Sequence, residues 1–317
     1  MIDRWMLRFA QVFVLCSCLD IPILSAADLN AYLVVRWEGS ALEEPNLEAL
    51  DAIHKKYPDA PMIHLINPTY FQDNALTTTN LEKIKKRIGP SDEVGLYLVP
   101  SANLLKAAGV IAIHKPTFWG YSDELCTTDC GLQISPTVYS RTEVAKLFVT
   151  ANRFLKEAGF NAPKTYAVHG WMAPAGLAEI AEGLDFTSDL TAIDVSLVKE
   201  QIREYPLANW LKSSPAPLSK GALKAYVQGG GIMEFNSDSE VLKRFDQFFA
   251  KDHERQALFV MSLSQENAYM TRSRLEHAID GMKAKAAAGG DNLVFSTMND
   301  GKNGRPLASK AGINTKL

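Results

Sequence analysis

Short apolar runs alternate with amphipathic helical patterns along most of this sequence, and this alternation is the feature that most restricts its fold. The runs show no strict polar alternation, as expected when both faces of a parallel sheet are covered. They are Ala31–Arg36, Pro61–Ile66, Glu93–Val99, Val110–Ile113, Thr165–Val168, Gly231–Phe235, Gln256–Leu263 and Asn292–Thr297. The helical segments are Pro45–Tyr57, Thr79–Arg87, Ser140–Ala158, Pro174–Gly183, Ser239–Phe249 and Arg272–Ala288. Strands that alternate with helices predict parallel βαβ units.

The predicted architecture is α/β, a single distorted (β/α) barrel domain that occupies residues 28–317. About 250 residues suffice for such a barrel. No Gly-rich nucleotide-binding fingerprint follows the first strand, which disfavours the alternative, an open doubly wound sheet. In a (β/α) barrel the functional residues lie at the carboxyl ends of the strands, so we expect the site there.

Residues 1–27 have the layout of a secretory signal peptide. Arg4 and Arg8 give a basic start, an apolar stretch follows, and small residues precede a cleavage point after Ala27. A membrane anchor would need about 18 or more uninterrupted apolar residues, whereas Asp20 and Pro22 interrupt this stretch. We therefore predict an exported protein, periplasmic or secreted, whose mature chain has no transmembrane segment. A lipoprotein is the minority alternative.

The mature chain keeps two cysteines, Cys126 and Cys130, which lie four positions apart in the segment CTTDCG. In an oxidising compartment, a disulfide that closes this small loop is the expected pairing. A zinc site needs more ligands than these two residues supply.

The charge of the chain restricts its partners. The formal net charge is −3, and the basic residues occur in short clusters such as Lys83–Arg87, which is typical of a solvated helix face. Phosphate binding needs concentrated Lys and Arg, so the composition argues against a nucleic-acid partner.

Aromatic, acidic and amide side chains collect where the predicted strands end. The segments there are RWEG at 36–39, HLINP at 64–68, GLYL at 95–98, HGWMA at 169–173 and SQENA at 264–268. Aromatic faces stack on sugar rings, and acids and amides form hydrogen bonds with hydroxyl groups. The composition of this rim therefore suits a carbohydrate ligand.

The order and spacing of these segments resemble polysaccharide deacetylases, the metal-dependent carbohydrate esterases built on a distorted (β/α) barrel. The resemblance covers most of the predicted mature chain and extends to NPTYF at 67–71, DEVGL at 92–96, PTFW at 116–119 and residues 126–131. It implies a divalent metal, held by a carboxylate at the first strand and two histidines after the third, with an Asp base that activates metal-bound water. An Arg before the Gly-Trp pair and a late His would assist.

Most of those functional positions differ in this sequence. The first strand offers Glu38 but no Asp pair, and Tyr97 stands where the resemblance implies a His. Val99 and Ser101 do not replace the second His, and Ser264 occupies the position of the late His. Losses at all of these points together indicate that the ancestral metal chemistry is gone.

Two rearranged sites stay open as alternatives. His64, His114 and His169 all lie near predicted strand ends and would suit zinc if they converged. Glu38 and Glu266 come from strands that barrel closure makes neighbours, so they could form a hydrolytic carboxylate pair. The plainer interpretations are histidines that bond to carbonyl groups and a structural ion pair of Glu38 with a basic group.

The leading hypothesis is an exported deacetylase-like protein with a degenerate metal site, which binds a cell-envelope polysaccharide or peptidoglycan without the metal. The alternative is an active carbohydrate esterase or hydrolase, an N- or O-deacetylase with a rearranged site. No cofactor is expected, unless a rebuilt site holds a divalent metal such as zinc. The candidate catalytic residues are Glu38, His169 and Glu266, and the candidate substrate-binding residues are Trp37, Tyr97, Trp171 and Gln265.

Overall fold

The structure, a computed structural model, describes residues 28–39, 42–72, 77–120, 130–198, 204–214, 218–250 and 257–299. The predicted signal peptide, residues 1–27, and Cys126 lie outside these ranges. The signal peptide and the disulfide of Cys126 with Cys130 therefore stay predictions. None of the helices in the described ranges is long and apolar enough to cross a membrane.

Strands and α-helices alternate through the described residues. The strands are β1 Asp28–Trp37, β2 Met62–Ile66, β3 Glu93–Leu98, β4 Thr165–Val168, β5 Ser188–Ile193, β6 Lys224–Gln228, β7 Gly231–Ile232, β8 Ala257–Leu258, β9 Val260–Ser264 and β10 Asn292–Phe295. The helices are α1 Glu44–Lys56, α2 Thr77–Lys85, α3 Ala102–Ala108, α4 Arg141–Glu157, α5 Leu177–Glu182, α6 Pro206–Ser213, α7 Asp238–Phe249 and α8 Ala268–Gly289. The sequence patterns do not predict β5, β6, α3 or α6, and α8 begins at Ala268, ahead of the expected Arg272. The short apolar run Val110–Ile113 does not form a strand.

The strands form one sheet that curls into a barrel. Every ladder between them is parallel, in the order β7-β9-β1-β2-β3-β4-β5-β6-β8, with β10 beside the start of β1. The two ends of this order meet, because β6 leads into β7 and β8 leads into β9. Val227 pairs with Ala257, and Ile232 pairs with Ser262. The two residues of each pair have the same sequence separation, so the β6–β8 ladder continues into the β7–β9 ladder. The predicted distorted (β/α) barrel is therefore confirmed.

Both faces of the barrel strands are buried, which explains the continuous apolar runs in the sequence. Successive residues point to opposite faces, so every second side chain enters the interior. The interior holds Tyr32, Val34, Ile63, Leu65, Tyr97, Val99, Ala167, Leu190, Tyr226 and Val260. The outer face packs under the helices through residues such as Leu33, Val35, Trp37, Met62, Ile66, Leu96 and Leu98.

Helix α4 shows how local sequence fixes an element and its direction. The Ser140 side chain accepts a hydrogen bond from the backbone N of Glu143, whose carboxylate accepts one from the backbone N of Ser140, which together form a capping box. The buried face of the helix consists of Val144, Leu147, Phe148, Ala151 and Leu155. Because α4 leads into β4, its last turn, with Phe154 and Glu157, lies towards the amino ends of the strands.

A sharp turn follows β4. Gly170 has a φ of +79° and Trp171 has a φ of +59°, a left-handed value that few non-glycine residues adopt. A Cβ on Gly170 would lie 2.2 Å from the Phe118 ring, so this position requires glycine. The turn carries the Trp171 side chain over the carboxyl ends of the strands, which we call the mouth of the barrel.

Candidate functional site

Arg36 is the centre of a buried group of charges at the mouth. Its side chain is 5% exposed, its Nη2 lies 3.2 Å from Oε2 of Glu234, and its Nε lies 3.9 Å from Oε1 of Glu38. Its guanidinium carbon stands 5.2 Å from the centroid of the Trp171 ring, a cation–π contact. Burial alone would lower the pKa of Arg36, but Glu234 and Glu38 raise it above its ordinary value, so Arg36 stays charged. We call Arg36, Glu38, Glu234 and Trp171 the Arg36 cluster.

Glu234 is a member of this cluster that the sequence analysis does not single out. It lies two positions after the end of β7, inside the run Gly231–Phe235, which is otherwise apolar. Its Oε1 accepts a hydrogen bond from the backbone N of Ser264, and its Oε2 faces Arg36. The sequence does carry a signal for Glu234, because it is a single acidic residue at the end of an apolar strand, where the functional residues of barrels lie.

Glu266 joins β1 to β9 through four hydrogen bonds. Its Oε1 accepts from the backbone N of Glu38 at 3.1 Å, from the backbone N of Gly39 at 3.2 Å and from the Tyr70 hydroxyl at 2.6 Å. Its Oε2 accepts from the Ser264 hydroxyl at 2.6 Å. Closure thus brings Glu38 and Glu266 together, as the strand order predicts. Because its oxygens are occupied by protein donors, we interpret Glu266 as a structural acceptor and not as a base.

Glu38 is the accessible carboxylate of the cluster. Its side chain is 32% exposed, against 15% for Glu234. Within the described residues, its carboxylate accepts no hydrogen bond, and its cationic neighbour is Arg36. Burial raises the pKa of Glu38 to about 7, with Arg36 lowering it and the charges of Glu266 and Glu234 raising it. A carboxyl group that titrates near neutral pH can both donate and accept a proton there.

His169 positions a buried tyrosine. A carbonyl oxygen only accepts, so Nε2 of His169 donates to the carbonyl of Leu132 at 2.6 Å. Its Nδ1 then accepts the hydrogen bond from the Tyr97 hydroxyl at 3.1 Å. Burial lowers the pKa of His169 to about 4, so the ring is neutral at pH 7. We interpret His169 as a residue that orients Tyr97, which is 1% exposed, and not as a proton donor in catalysis.

Trp37 lies on the outer face of β1, behind the strand. It is fully buried, and its Nε1 donates to Nδ1 of His64 at 3.0 Å. Nε2 of His64 therefore carries the ring hydrogen and donates to Oδ2 of Asp92 at 3.1 Å. A ligand at the mouth has no access to Trp37 in this position, so we do not propose it as a substrate-binding residue.

One group of side chains has the spacing of a metal site within the described residues. Ligand atoms of His54, His64 and Asp92 all lie within 4.8 Å of one another. The Trp37 hydrogen bond leaves Nε2 of His64 protonated, so that atom has no lone pair for a metal. Burial alone would raise the pKa of Asp92, but hydrogen bonds from His54 and His64 lower it well below its ordinary range. We therefore interpret the group as a hydrogen-bond network that supports Trp37.

The three histidines of the predicted zinc alternative do not share a partner. His64 bonds to Trp37 and Asp92 on the outer face, and His169 bonds to Tyr97 at the mouth. His114 is exposed. The metal-site spacing found in the described residues includes neither His114 nor His169.

The mouth does not fit the divalent metal that the sequence resemblance implies. Arg36 already places a fixed positive charge beside Glu38 and Glu234. The Tyr97 hydroxyl is bonded to His169, and the Ser101 side chain caps α3. These groups offer no imidazole lone pair for a divalent metal, and Arg36 occupies the position beside the two carboxylates. We derive no step that depends on a metal.

Several buried polar atoms near the mouth lack a hydrogen-bond partner. They are Nε of Arg36, Nε1 of Trp171, Oε2 of Glu234, Oε1 of Gln228 and both amide atoms of Gln265. The residues that carry them follow or end β1, β4, β6, β7 and β9. Buried polar groups in proteins are normally hydrogen-bonded to protein, ordered water or ligand. Their concentration here marks the mouth as a place where a polar molecule would bind.

The fold and the site define a (β/α) barrel whose mouth is organised by an arginine–glutamate cluster. Solved structures similar to this chain include a family 4 carbohydrate esterase from Streptomyces lividans in complex with acetate, at 8% identity and a TM-score of 0.44, covering 88% of this chain and 96% of that one. A putative polysaccharide deacetylase from Mycobacterium smegmatis is 8% identical with a TM-score of 0.46, and the match covers 86% of this chain and 88% of that one. A family 4 pseudoenzyme from Bacillus anthracis is 13% identical with a TM-score of 0.36, and the match covers 84% of this chain and 63% of that one. No protein-family model and no curated protein matches the sequence.

Proposed function

We propose that this chain is an exported protein that binds a cell-envelope polysaccharide, such as peptidoglycan, over the Arg36 cluster. The observation that carries the proposal is a pair of buried donors without acceptors, Nε of Arg36 and Nε1 of Trp171, beside the accessible Glu38. The signal-peptide layout of residues 1–27 supports export.

Carbohydrate chemistry suits this combination of groups. Sugar hydroxyls both donate and accept hydrogen bonds, so one sugar ring can serve the donors of Arg36 and Trp171 and the acceptors of Glu38. The apolar faces of a sugar ring can pack against the Trp171 indole. The strained backbone at Trp171 also supports a binding role, since strained residues that persist cluster at ligand sites.

Removing the indole should weaken glycan binding selectively. We expect Trp171→Ala to bind peptidoglycan and its soluble fragments about tenfold more weakly than the unaltered protein, because stacking and the indole donor are both lost. Pull-down with insoluble peptidoglycan and calorimetric titration with soluble fragments measure the change.

Phe154→Ala is the matched control, since it also removes a partly buried aromatic ring, at the far end of α4 from the mouth. Circular dichroism and the melting temperature of each variant report folding. Binding that is equal in the unaltered protein, Trp171→Ala and Phe154→Ala, or no binding at all, would contradict the proposal.

A second candidate function is hydrolysis of an acetylated glycan with Glu38 as the proton-transfer group. The observation that favours it is the accessible Glu38 carboxylate, whose pKa is raised to about 7 chiefly by burial. Release of acetate from acetylated xylan or chitin fragments, measured with and without EDTA, tests it. We expect activity of this kind to survive EDTA and to be lost in Glu38→Gln. Absence of acetate release, or release that EDTA abolishes, would rule out this mechanism.

A further inference from the structure

The charges at the mouth do not balance. In the described residues, Arg36 is the cation in contact with the site, whereas Glu38, Glu234 and Glu266 are all carboxylates. When all are ionised, one positive charge stands against three negative ones. A water-excluded site with this excess attracts cations and repels anions.

Glu38 is the carboxylate of the mouth that is most available to accept a hydrogen bond from a ligand. The oxygens of Glu266 are engaged by four protein donors, and Glu234 accepts from the backbone of Ser264 and faces Arg36. Glu38, by contrast, is 32% exposed and lies 3.9 Å from Arg36, beyond hydrogen-bonding distance. Its acceptor positions are therefore open to a ligand donor.

Arg36 imposes a second requirement on the ligand. Its side chain is 5% exposed, and its contact with Trp171 and its ion pair with Glu234 hold it in place, yet its Nε has no acceptor. A ligand that satisfies both residues must present an acceptor oxygen to Arg36 and a donor to Glu38. A purely cationic ligand such as a metal ion meets only the requirement of Glu38, because it has no acceptor for Nε of Arg36.

We propose that the ligand is a glycan with free amino groups, a polymer of 2-amino-2-deoxyhexose, whose ammonium group pairs with Glu38 while its hydroxyl oxygens accept from Arg36. The proposal rests on the function proposed above and names the class of glycan. N-Acetylated glycans keep the hydroxyl groups but lose the charge. Acidic glycans meet the excess of carboxylates and are disfavoured.

Proton linkage supports this assignment. Burial raises the pKa of Glu38 to about 7; among the groups that face it, Arg36 lowers this pKa, and Glu266 and Glu234 raise it. Tyr97 also adjoins the cluster and stays protonated, because burial raises its pKa above the ordinary value. A cation beside Glu38 favours the ionised carboxylate. The preference for the cationic glycan should therefore increase from pH 5 to pH 6, a range in which the sugar amine keeps most of its proton.

The test compares matched oligosaccharides by calorimetric titration at pH 6, where the sugar amine keeps most of its proton, and at low ionic strength. We expect the glucosamine tetramer to bind about tenfold or more tightly than the N-acetylglucosamine tetramer, and tetragalacturonate to bind most weakly. In Glu38→Gln the ratio of the affinity for the glucosamine tetramer to the affinity for the N-acetylglucosamine tetramer should fall towards one. In Glu157→Gln, which removes an exposed carboxylate at the far end of α4, the ratio should persist. Chitosan and de-N-acetylated peptidoglycan, tested separately, distinguish two polymers that present the same amino sugar.

The outcomes separate the two proposals. Equal affinity for the glucosamine and N-acetylglucosamine tetramers, with loss of both in Trp171→Ala, overturns the amino-sugar assignment and leaves the glycan-binding function standing. No binding of any glycan overturns both. If Glu38→Gln does not fold, the pH dependence in the unaltered protein decides: a preference that does not grow between pH 5 and pH 6 contradicts the role of Glu38.

Discussion

Replacing Arg36 by methionine is expected to lower the free energy of unfolding by about 3–5 kcal/mol at pH 8. The change leaves Glu38 and Glu234 in a largely buried site without their cation. Unpaired carboxylates there will take up protons at lower pH, because desolvation favours the neutral form. The loss of stability should therefore be smaller at pH 5 than at pH 8. Urea denaturation at the two pH values measures it.

Arg153→Met is the control for the Arg36 substitution. Arg153 pairs with Glu157 on the exposed surface of α4, where its side chain is 54% exposed, and surface pairs of this kind contribute about 0–1 kcal/mol. Adding Glu234→Gln to Arg36→Met should restore part of the lost stability at pH 8. A loss for Arg36→Met that matches the control, or that does not depend on pH, would show that the ion cluster is not the source of the stability.

Replacing Glu266 by alanine is expected to cost about 3 kcal/mol of unfolding free energy, because several donors lose one shared acceptor. Those donors are the backbone N–H groups of Glu38 and Gly39 and the hydroxyls of Tyr70 and Ser264. Glu266→Gln should cost less, about 1 kcal/mol, since its amide oxygen still accepts while the charge-assisted part is lost. Thermal or chemical denaturation gives these values.

Amide hydrogen exchange adds a local measurement for Glu266. The amides of Glu38 and Gly39 should exchange faster in Glu266→Ala than in the unaltered protein, because their acceptor is gone. Glu157→Ala, on the exposed face of α4, should leave both stability and those two amides unchanged. Unchanged exchange at Glu38 and Gly39 in Glu266→Ala would contradict the proposed structural role.

The predicted strands that the structure confirms are those with strong apolar runs, such as β1, β3 and β9. β5 escapes prediction because it contains polar residues that are buried by their tertiary partners. Asp189, which is 3% exposed, accepts hydrogen bonds from the Tyr166 hydroxyl and from the backbone N of Thr191. From the sequence alone, Ser188–Ile193 has the composition of a loop.

The positions of the candidate residues in the fold could be predicted only in part, and their functional role stays a prediction. The strand-end rule places Glu38, Trp171 and Glu266 at the mouth, where the structure has them. It does not tell which face of β1 is the interior, because a strand buried on both sides has no polar alternation to orient it. The structure turns Arg36 inward and Trp37 outward, so the aromatic neighbour leaves the site and the arginine becomes its centre.

The sequence by itself determined most of the alternation of strands and helices, the parallel barrel and the strand ends at which the candidate site lies. Those properties follow from local hydrophobic period and from the general geometry of βαβ units. Tertiary structure alone decided the partners of each charged group: it joined Glu234 to Arg36 from 198 positions away, committed Glu266 to four donors and left Glu38 accessible. Such pairings depend on distances across the closed barrel, and those distances are not encoded in the spacing of residues along any single strand or helix.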